Sequence, residues 1–375
     1  MNLHRSAAAI LTLVGLVSAC AAAPARREGA PPDLLLVVLE GEPVAVEAPV
    51  SLDRFVEAEV IHTDPMVSWR ALLTGQWPGT SQAAVPNSLH GVMALYGYTV
   101  YAGPSPQLDA VLAAEPGLGR PAARLALDCP GSWLRDGIDA LDRGPAGDPL
   151  LVMLPVRAEP GCGGVAGVGD AVSAAARWGM EADRAVVIVG LQAAAAGAPL
   201  LPAPAHPALW MRDGADEPAP RLGLSSVLDV MPTVLTAGGA VVPTDAAGQP
   251  LQLLRRRGPQ AAPAALVQQA PDGSRAAVTR AHRLVVPAGL EAGPTPPAQA
   301  VLETRAAAEL GPALPPKGAP PAAKVEEPVV DDERARAALW AALQSWQRAV
   351  GGSDPEARVG ADALRKVLAE QGYFQ

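Results

Sequence analysis

Four continuous apolar runs of strand length recur between residues 33 and 211, and helical stretches separate or follow them. Such runs are typical of strands buried on both faces, as in a parallel sheet that is covered by helices. Helical spacing at residues 171–180 and 224–237 supports the alternation. The sequence therefore predicts an α/β fold with a largely parallel central sheet. The apolar runs are residues 33–39, 150–154, 185–189 and 208–211.

Beyond residue 250 the pattern changes. Residues 264–268 and 276–286 predict strands of a small antiparallel unit, with a turn at Asp272-Gly273. Residues 331–350 have helical spacing, and this helix could pack on its own domain or on a partner helix. The predicted domains are an α/β domain over 32–250, a β subdomain over 251–293, a Pro/Ala-rich linker over 294–330 and a helical tail over 331–375.

The N-terminus has the features of an export signal. His4 and Arg5 precede an apolar run over residues 7–17, which is too short to span a bilayer. Val17-Ser-Ala-Cys20 resembles a bacterial lipobox, which implies a signal peptide over 1–19, a lipid on Cys20 and a tether over 20–31. Ala21 after the cysteine implies the outer membrane. The alternative is an ordinary secretory signal that is cleaved near residues 19–23.

Charge and cysteine content limit the partners and the compartment. The net charge of −9 argues against a nucleic acid or an anionic lipid surface as partner. Two cysteines remain besides Cys20, namely Cys129 and Cys162. In an oxidising compartment they could form a disulfide, and the alternative is two free thiols.

Residues 64–80, DPMVSWRALLTGQWPGT, carry the most specific motif. They resemble the signature of the sulfatase family, in which a loop C-x-P-S-R leads into a helix that ends L-L-T-G. Residues 72–75 match the helix end, and Ser68 matches the signature serine. The nucleophile position then falls on Pro65, and the signature arginine position falls on Trp69.

Further segments resemble the same family in the correct order. Residues 226–235, SVLDVMPTVL, are similar to the family's S-L-V-D-L-A-P-T-L-L, and residues 97–103 are similar to G-Y-x-T-x-x-x-G. The resemblance runs from about residue 32 to residue 286 and implies a sulfatase-like fold of the alkaline phosphatase superfamily. The other segments are residues 32–41, 148–155, 185–189, 206–214 and 277–285.

The resemblance also implies that the metal site is degenerate. Sulfate-ester hydrolysis in this family uses a divalent ion, and such an ion needs several oxygen ligands. The family's paired aspartates become Glu40 and Gly41 here, and its S-D-N becomes Gly190, Leu191 and Gln192. Glu40 and Gln192 are thus the vestigial candidates for metal ligands.

The remaining catalytic positions are changed as well. Proline at position 65 has no nucleophilic atom, the family's G-K-W-H becomes residues 103–106, and its histidine becomes Glu159 or Pro160. No lysine precedes Lys317. We therefore expect an inactive, lipid-anchored, sulfatase-like pseudoenzyme without a cofactor. Its role would be binding or scaffolding, with an envelope glycan or protein as partner.

Two alternatives stay open at the level of sequence. One is a divergent sulfuric-ester or phosphoric-ester hydrolase with a site rebuilt around Ser68, Asp64 and Glu40, assisted by His62 and by calcium or magnesium. Against it, Asp64 would cap the following turn, and His62 would be a surface residue. The other is a structural α/β lipoprotein, for which a central parallel sheet would be absent.

The decisive question is whether a cleft persists at the nucleophile position. A residual cleft would lie near Glu40, Ser68 and Gln192, at the carboxyl ends of the strands. No cleft would remain if large apolar side chains filled this space, and the candidates are Trp69, Leu191 and Met66.

Overall fold

The computed structural model describes most of the chain between Pro31 and Gly351. All statements below concern those residues. Cys20, Gln192 and the predicted signal peptide lie outside them, as does most of the linker. The described residues are 31–41, 46–77, 87–125, 129, 148–180, 184–191, 207–214, 217–263, 265–290, 293, 295–305 and 332–351.

A central eight-stranded sheet forms the core of the chain, with strand order β5-β4-β6-β1-β7-β8-β2-β9. Strands β5, β4, β6, β1 and β7 are mutually parallel, and β8 is antiparallel to β7. This confirms the predicted α/β class and removes the alternative that required no parallel sheet. The strands are β1 (Asp33–Glu40), β2 (Asp53–Phe55), β4 (Thr99–Ala102), β5 (Ala123–Arg124), β6 (Leu150–Arg157), β7 (Arg184–Gly190), β8 (Leu209–Arg212) and β9 (Pro220–Arg221).

Helices cover both faces of this sheet because its central strands are apolar on both faces. Leu34, Leu36 and Val38 of β1 face one apolar core, and Leu35 and Val37 face the other. Helix α4 packs on the second core, and the other five helices pack on the first. The helices are α1 (Pro65–Thr74), α2 (Leu89–Leu95), α3 (Pro106–Ala114), α4 (Gly164–Trp178), α5 (Val230–Ala237) and α6 (Leu251–Arg257).

A second, antiparallel sheet follows in the chain, and a C-terminal helix covers it. The sheet has the order β11-β12-β13-β14, and α7 (Asp332–Gly351) packs on it through Leu339, Trp340 and Leu343. The predicted tail helix thus packs on its own chain. The strands are β11 (Leu266–Gln269), β12 (Arg275–Val278), β13 (His282–Val286) and β14 (Val301–Thr304), and a two-stranded ladder joins β3 (Ala58–Glu59) to β10 (Ser225–Ser226).

Three predicted boundaries need correction. Residues 276–286 form two strands, because the chain turns at Thr279, whose amide donates to the carbonyl of His282 at 2.8 Å and whose hydroxyl accepts from the amide of His282 at 3.0 Å. Strand β14 lies inside the segment that was predicted as linker. Helix α6 lies in the predicted β subdomain, yet Leu251 and Leu254 pack in the first core of the α/β domain. The turn at Asp272-Gly273 is present, and Gly273 has a positive φ of 88°.

The end of the L-L-T-G motif is held by backbone geometry. Gly75 caps α1 in the left-handed conformation at φ 64°, which favours glycine. Its carbonyl accepts from the amide of Ala247 at 2.7 Å, and Gln76 donates to Asp245 at 2.7 Å. The following Trp77 meets Trp346 of α7 edge to face at 6.4 Å. The segment that follows the motif therefore contacts the helix that covers the second sheet.

Asp229 of the S-x-x-D-x-x-P-T segment has a structural position. It forms a capping box with Ser226 and accepts from the amide of Gln249 at 2.8 Å. Burial raises the pKa of Asp229 from 3.8 to about 7. The segment therefore stabilises the start of α5 and has a structural rather than a chemical role.

The raised pKa predicts a pH-dependent stability. A carboxyl that binds its proton more tightly when folded stabilises the protein below pH 3.8, and this contribution is lost as pH rises through about 7. Asp229→Asn should lower the free energy of unfolding at pH 4 by about 1–3 kcal/mol. The NH2 group of the asparagine then replaces an oxygen that accepts a backbone hydrogen bond, so two donors face each other. The difference from wild type should shrink towards pH 7 in urea titrations. A difference that stays constant with pH would contradict the assignment.

No helix among the described residues combines the length and the apolar character that crossing a bilayer requires.

Candidate functional site

The carboxyl ends of the parallel strands place the family's catalytic positions at one edge of the sheet. Glu40 ends β1, and its Cα partner in β6 is Arg157. Leu191 directly follows β7, and its amide donates to the carbonyl of Leu39 at 3.1 Å. In sheets of this class this edge is the usual place for a ligand.

The nucleophile position begins a helix. Pro65 is the first residue of α1, and the Asp64 side chain accepts from the amide of Met66 at 2.8 Å. Proline is favoured at this position because its missing N–H would be unpaired there in any case. Helix α1 thus starts at the nucleophile position, and Asp64 is its N-cap.

Ser68 and His62 do not form a nucleophile and base pair. Ser68 is buried, and its hydroxyl donates to the carbonyl of His62 at 3.0 Å. The His62 ring accepts from the amide of Asp64 at 2.9 Å through Nδ1. His62 is buried rather than at the surface as expected, and burial lowers its pKa. Ser68, His62 and Asp64 therefore stabilise the turn that precedes α1.

Glu40 is enclosed by two side chains at degenerate positions, and we call Glu40, Trp69 and Ser105 the Glu40 cluster. Oε1 of Glu40 accepts from Nε1 of Trp69 at 2.5 Å and from the hydroxyl of Ser105 at 2.5 Å. All three residues are buried, with exposed fractions of 5%, 0% and 1%. Burial raises the pKa of Glu40, and the bonds from Ser105 and Trp69 and the charge of Arg157 oppose that rise.

The family's arginine position thus carries an indole that neutralises no charge on a substrate. Its ring belongs to the first core, and its N–H is directed at Glu40. Leu191 is buried in the same core. Met66 is 39% exposed and does not contribute to the filling. Of the three expected residues, Trp69 therefore lies against Glu40, and Leu191 is buried in the same core.

Ser105 is the member of the cluster that the sequence did not reveal. It caps α3, accepting from the amide of Leu108 at 3.0 Å while it donates to Glu40. The available signal was Ser105-Pro106, a serine followed by proline, which is a typical helix start.

The described residues do not fit a divalent ion. Glu40 is the one carboxylate at this edge that matches a family ligand, and its Oε1 already accepts two hydrogen bonds. Leu191 offers no ligand atom at the aspartate position. No group of three or more His, Cys, Asp or Glu in the described ranges is arranged to hold a metal.

The position of the family's histidine lies at the surface beside a disulfide. Glu159 forms an ion pair with Arg157, and both side chains are exposed. The 3-10 turn that follows carries Cys162, which is bonded to Cys129, with the Cα atoms 5.2 Å apart. The bridge therefore holds Cys129 beside the turn that precedes α4.

The chain has a sulfatase-like fold. A protein solved with its substrate D-glucosamine-2-N,6-O-disulfate superposes with a TM-score of 0.59 at 10% identity, over 87% of this chain and 99% of that one. Ps i-CgsB in complex with k-i-k-neocarrahexaose gives 0.55 at 12% identity, over 92% and 100%. A protein in the alkaline phosphatase superfamily from Vibrio parahaemolyticus gives 0.51 at 16%, over 70% and 78%.

These likenesses establish the fold alone, because the identities are low. No protein-family model matches the sequence, and no curated protein matches it.

Proposed function

We propose that this chain is an exported, lipid-anchored pseudoenzyme with a sulfatase-like fold, which binds a glycan or a protein at the bacterial cell envelope. The Glu40 cluster carries the proposal. Glu40 is the one carboxylate that is retained at a family ligand position. Its Oε1 already accepts hydrogen bonds from the indole of Trp69 and the hydroxyl of Ser105, so this oxygen is not free to bind a metal. The lipobox-like Val17-Ser-Ala-Cys20 supports an anchor on Cys20 and, with Ala21, the outer membrane.

A glycan is the first ligand class to examine. Two proteins of the same fold are solved with carbohydrate ligands, namely D-glucosamine-2-N,6-O-disulfate and k-i-k-neocarrahexaose. A protein that keeps the edge of the sheet where ligands bind, but lacks the catalytic residues, can still bind a ligand without converting it.

A turnover assay tests the loss of activity. A soluble form that begins at Ala21 should hydrolyse neither 4-nitrophenyl sulfate nor bis(4-nitrophenyl) phosphate above the uncatalysed rate. We expect the same result with Ca²⁺, Mg²⁺, Mn²⁺ or Zn²⁺, because Pro65 has no nucleophilic atom and Gly41 replaces the second aspartate of the family's metal-binding pair.

Two variants separate a genuine activity from a contaminant. Turnover that Glu40→Ala abolishes would overturn the proposal, and turnover that Ser68→Ala abolishes would establish the divergent hydrolase. Circular dichroism of each variant controls for unfolding.

A further inference from the structure

Several large exposed apolar side chains lie at the amino-terminal edge of the parallel strands, opposite the Glu40 cluster. Leu95 ends α2, and Tyr96 follows it just before β4. Met180 follows α4 shortly before β7. The exposed fractions are 86% for Leu95, 70% for Val241, 52% for Met180 and 44% for Tyr96.

Three of these side chains form one patch, which we call the Leu95 patch: Leu95, Tyr96 and Val241. The hydroxyl of Tyr96 accepts from the amide of Val241 at 3.1 Å, which joins the end of α2 to the segment after α5. Met180 lies at the same edge on the other face of the sheet, where α4 packs. Solvated apolar groups that gather in one place indicate an interaction surface.

The chain enters the fold beside this patch. Tyr98, two residues after Tyr96, donates its hydroxyl to the carbonyl of Pro32 at 3.0 Å. Residues 21–31, eleven in number, connect Cys20 to Pro32. Fully extended, a segment of this length spans at most about 40 Å. A lipid on Cys20 therefore holds this entry point within about 40 Å of the bilayer.

We propose that the Leu95 patch rests on the surface of the lipid bilayer to which Cys20 anchors the chain. The inference rests on the lipid anchor in the proposed function. The anchor holds the patch at a high effective concentration near the lipid, so a weak contact is sufficient. Tyrosine suits the interface, where its ring is apolar and its hydroxyl is wet. The net charge of −9 favours zwitterionic over anionic lipid.

This orientation has a consequence for the site. Strand β1 runs eight residues from Asp33 to Glu40, which corresponds to about 26 Å at the usual rise. With the amino edge on the lipid, the edge that carries the Glu40 cluster faces away from the membrane. A partner would therefore meet that edge from the aqueous side.

Hydroxyl-radical footprinting of the full lipidated chain tests the proposal. Met180 and Met66 are a matched pair, since both are partly exposed but only Met180 lies at the proposed contact edge. On phosphatidylcholine vesicles, oxidation of Tyr96 and Met180 should fall at least threefold relative to the soluble form that begins at Ala21. Oxidation of Met66 should not change.

A variant and a flotation assay complete the test. Leu95→Ser/Val241→Ser should restore the oxidation of Tyr96 on vesicles, whereas the exposed control Val165→Ser should not. Failure of the lipidated chain to float with vesicles contradicts the anchor and, with it, this inference. Flotation with equal oxidation of Tyr96 on and off vesicles overturns the inference alone. Protection of Tyr96 without vesicles that rises with protein concentration assigns the patch to a second copy and also overturns it.

Discussion

Replacing Arg305 by methionine should lower the free energy of unfolding by about 3–5 kcal/mol, because the change leaves a buried carboxylate without its partner. Arg305 contacts Oε1 of Glu59 at 2.5 Å, and the two side chains are 5% and 6% exposed. Arg305 also donates to the carbonyl of Thr279 at 2.8 Å. The ion pair joins Arg305, which follows β14 of the second sheet, to Glu59 of β3. Removing it should weaken the contact between the second sheet and β3. Urea unfolding followed by tryptophan fluorescence measures the change.

Two controls define the origin of this effect. Glu59→Gln/Arg305→Met removes both charges and should be more stable than Arg305→Met, which gives the coupling in a double-mutant cycle. Arg157→Met breaks an exposed pair with Glu159 and should cost at most about 1 kcal/mol. An Arg305→Met protein as stable as Arg157→Met would contradict the buried-pair account.

Trp69→Ala should cost a similar amount, about 3–5 kcal/mol, because it removes a fully buried side chain from the first core and leaves a cavity. Trp69→Phe keeps much of the ring and removes the N–H to Glu40. Its cost should be about 1–3 kcal/mol, the penalty for a buried acceptor that loses a partner. Thermal and urea unfolding of both variants provide the comparison.

Ser105→Ala is the matched control for the other donor to Glu40. It should cost more than the hydrogen bond alone, because Ser105 also caps α3. If Trp69→Phe is as stable as wild type, the indole bond contributes nothing to closing the site.

The fold class could be predicted because its signal is local. The apolar runs of β1, β6, β7 and β8 are continuous. Such runs are typical of strands that are buried on both faces. The second sheet was predicted less well. Thr279 turns the chain inside a run that has no glycine or proline, and β14 lies in a Pro-rich segment. Both outcomes depend on pairing with distant residues rather than on local sequence.

The candidate site was predictable only in part, for the same reason. The motif identified Pro65 and Trp69 as the residues that stand where the family has its nucleophile and its arginine, and Asp64-Pro65 is a recognisable helix start. The contacts of Glu40 with Trp69 and Ser105 join residues that are 29 and 65 positions apart. No spacing rule links such positions, so the closing of the cluster required the tertiary structure.

Titration with calcium and magnesium ions by isothermal calorimetry tests the central claim most directly, namely that the catalytic positions now form a closed cluster. The proteins to compare are the soluble form that begins at Ala21 and its Glu40→Gln variant, which keeps the acceptor oxygen and removes the charge. We expect no binding heat that depends on Glu40 at millimolar ion concentrations, because Trp69 and Ser105 occupy Oε1 of Glu40. Binding of either ion to the wild type that Glu40→Gln abolishes would contradict the account.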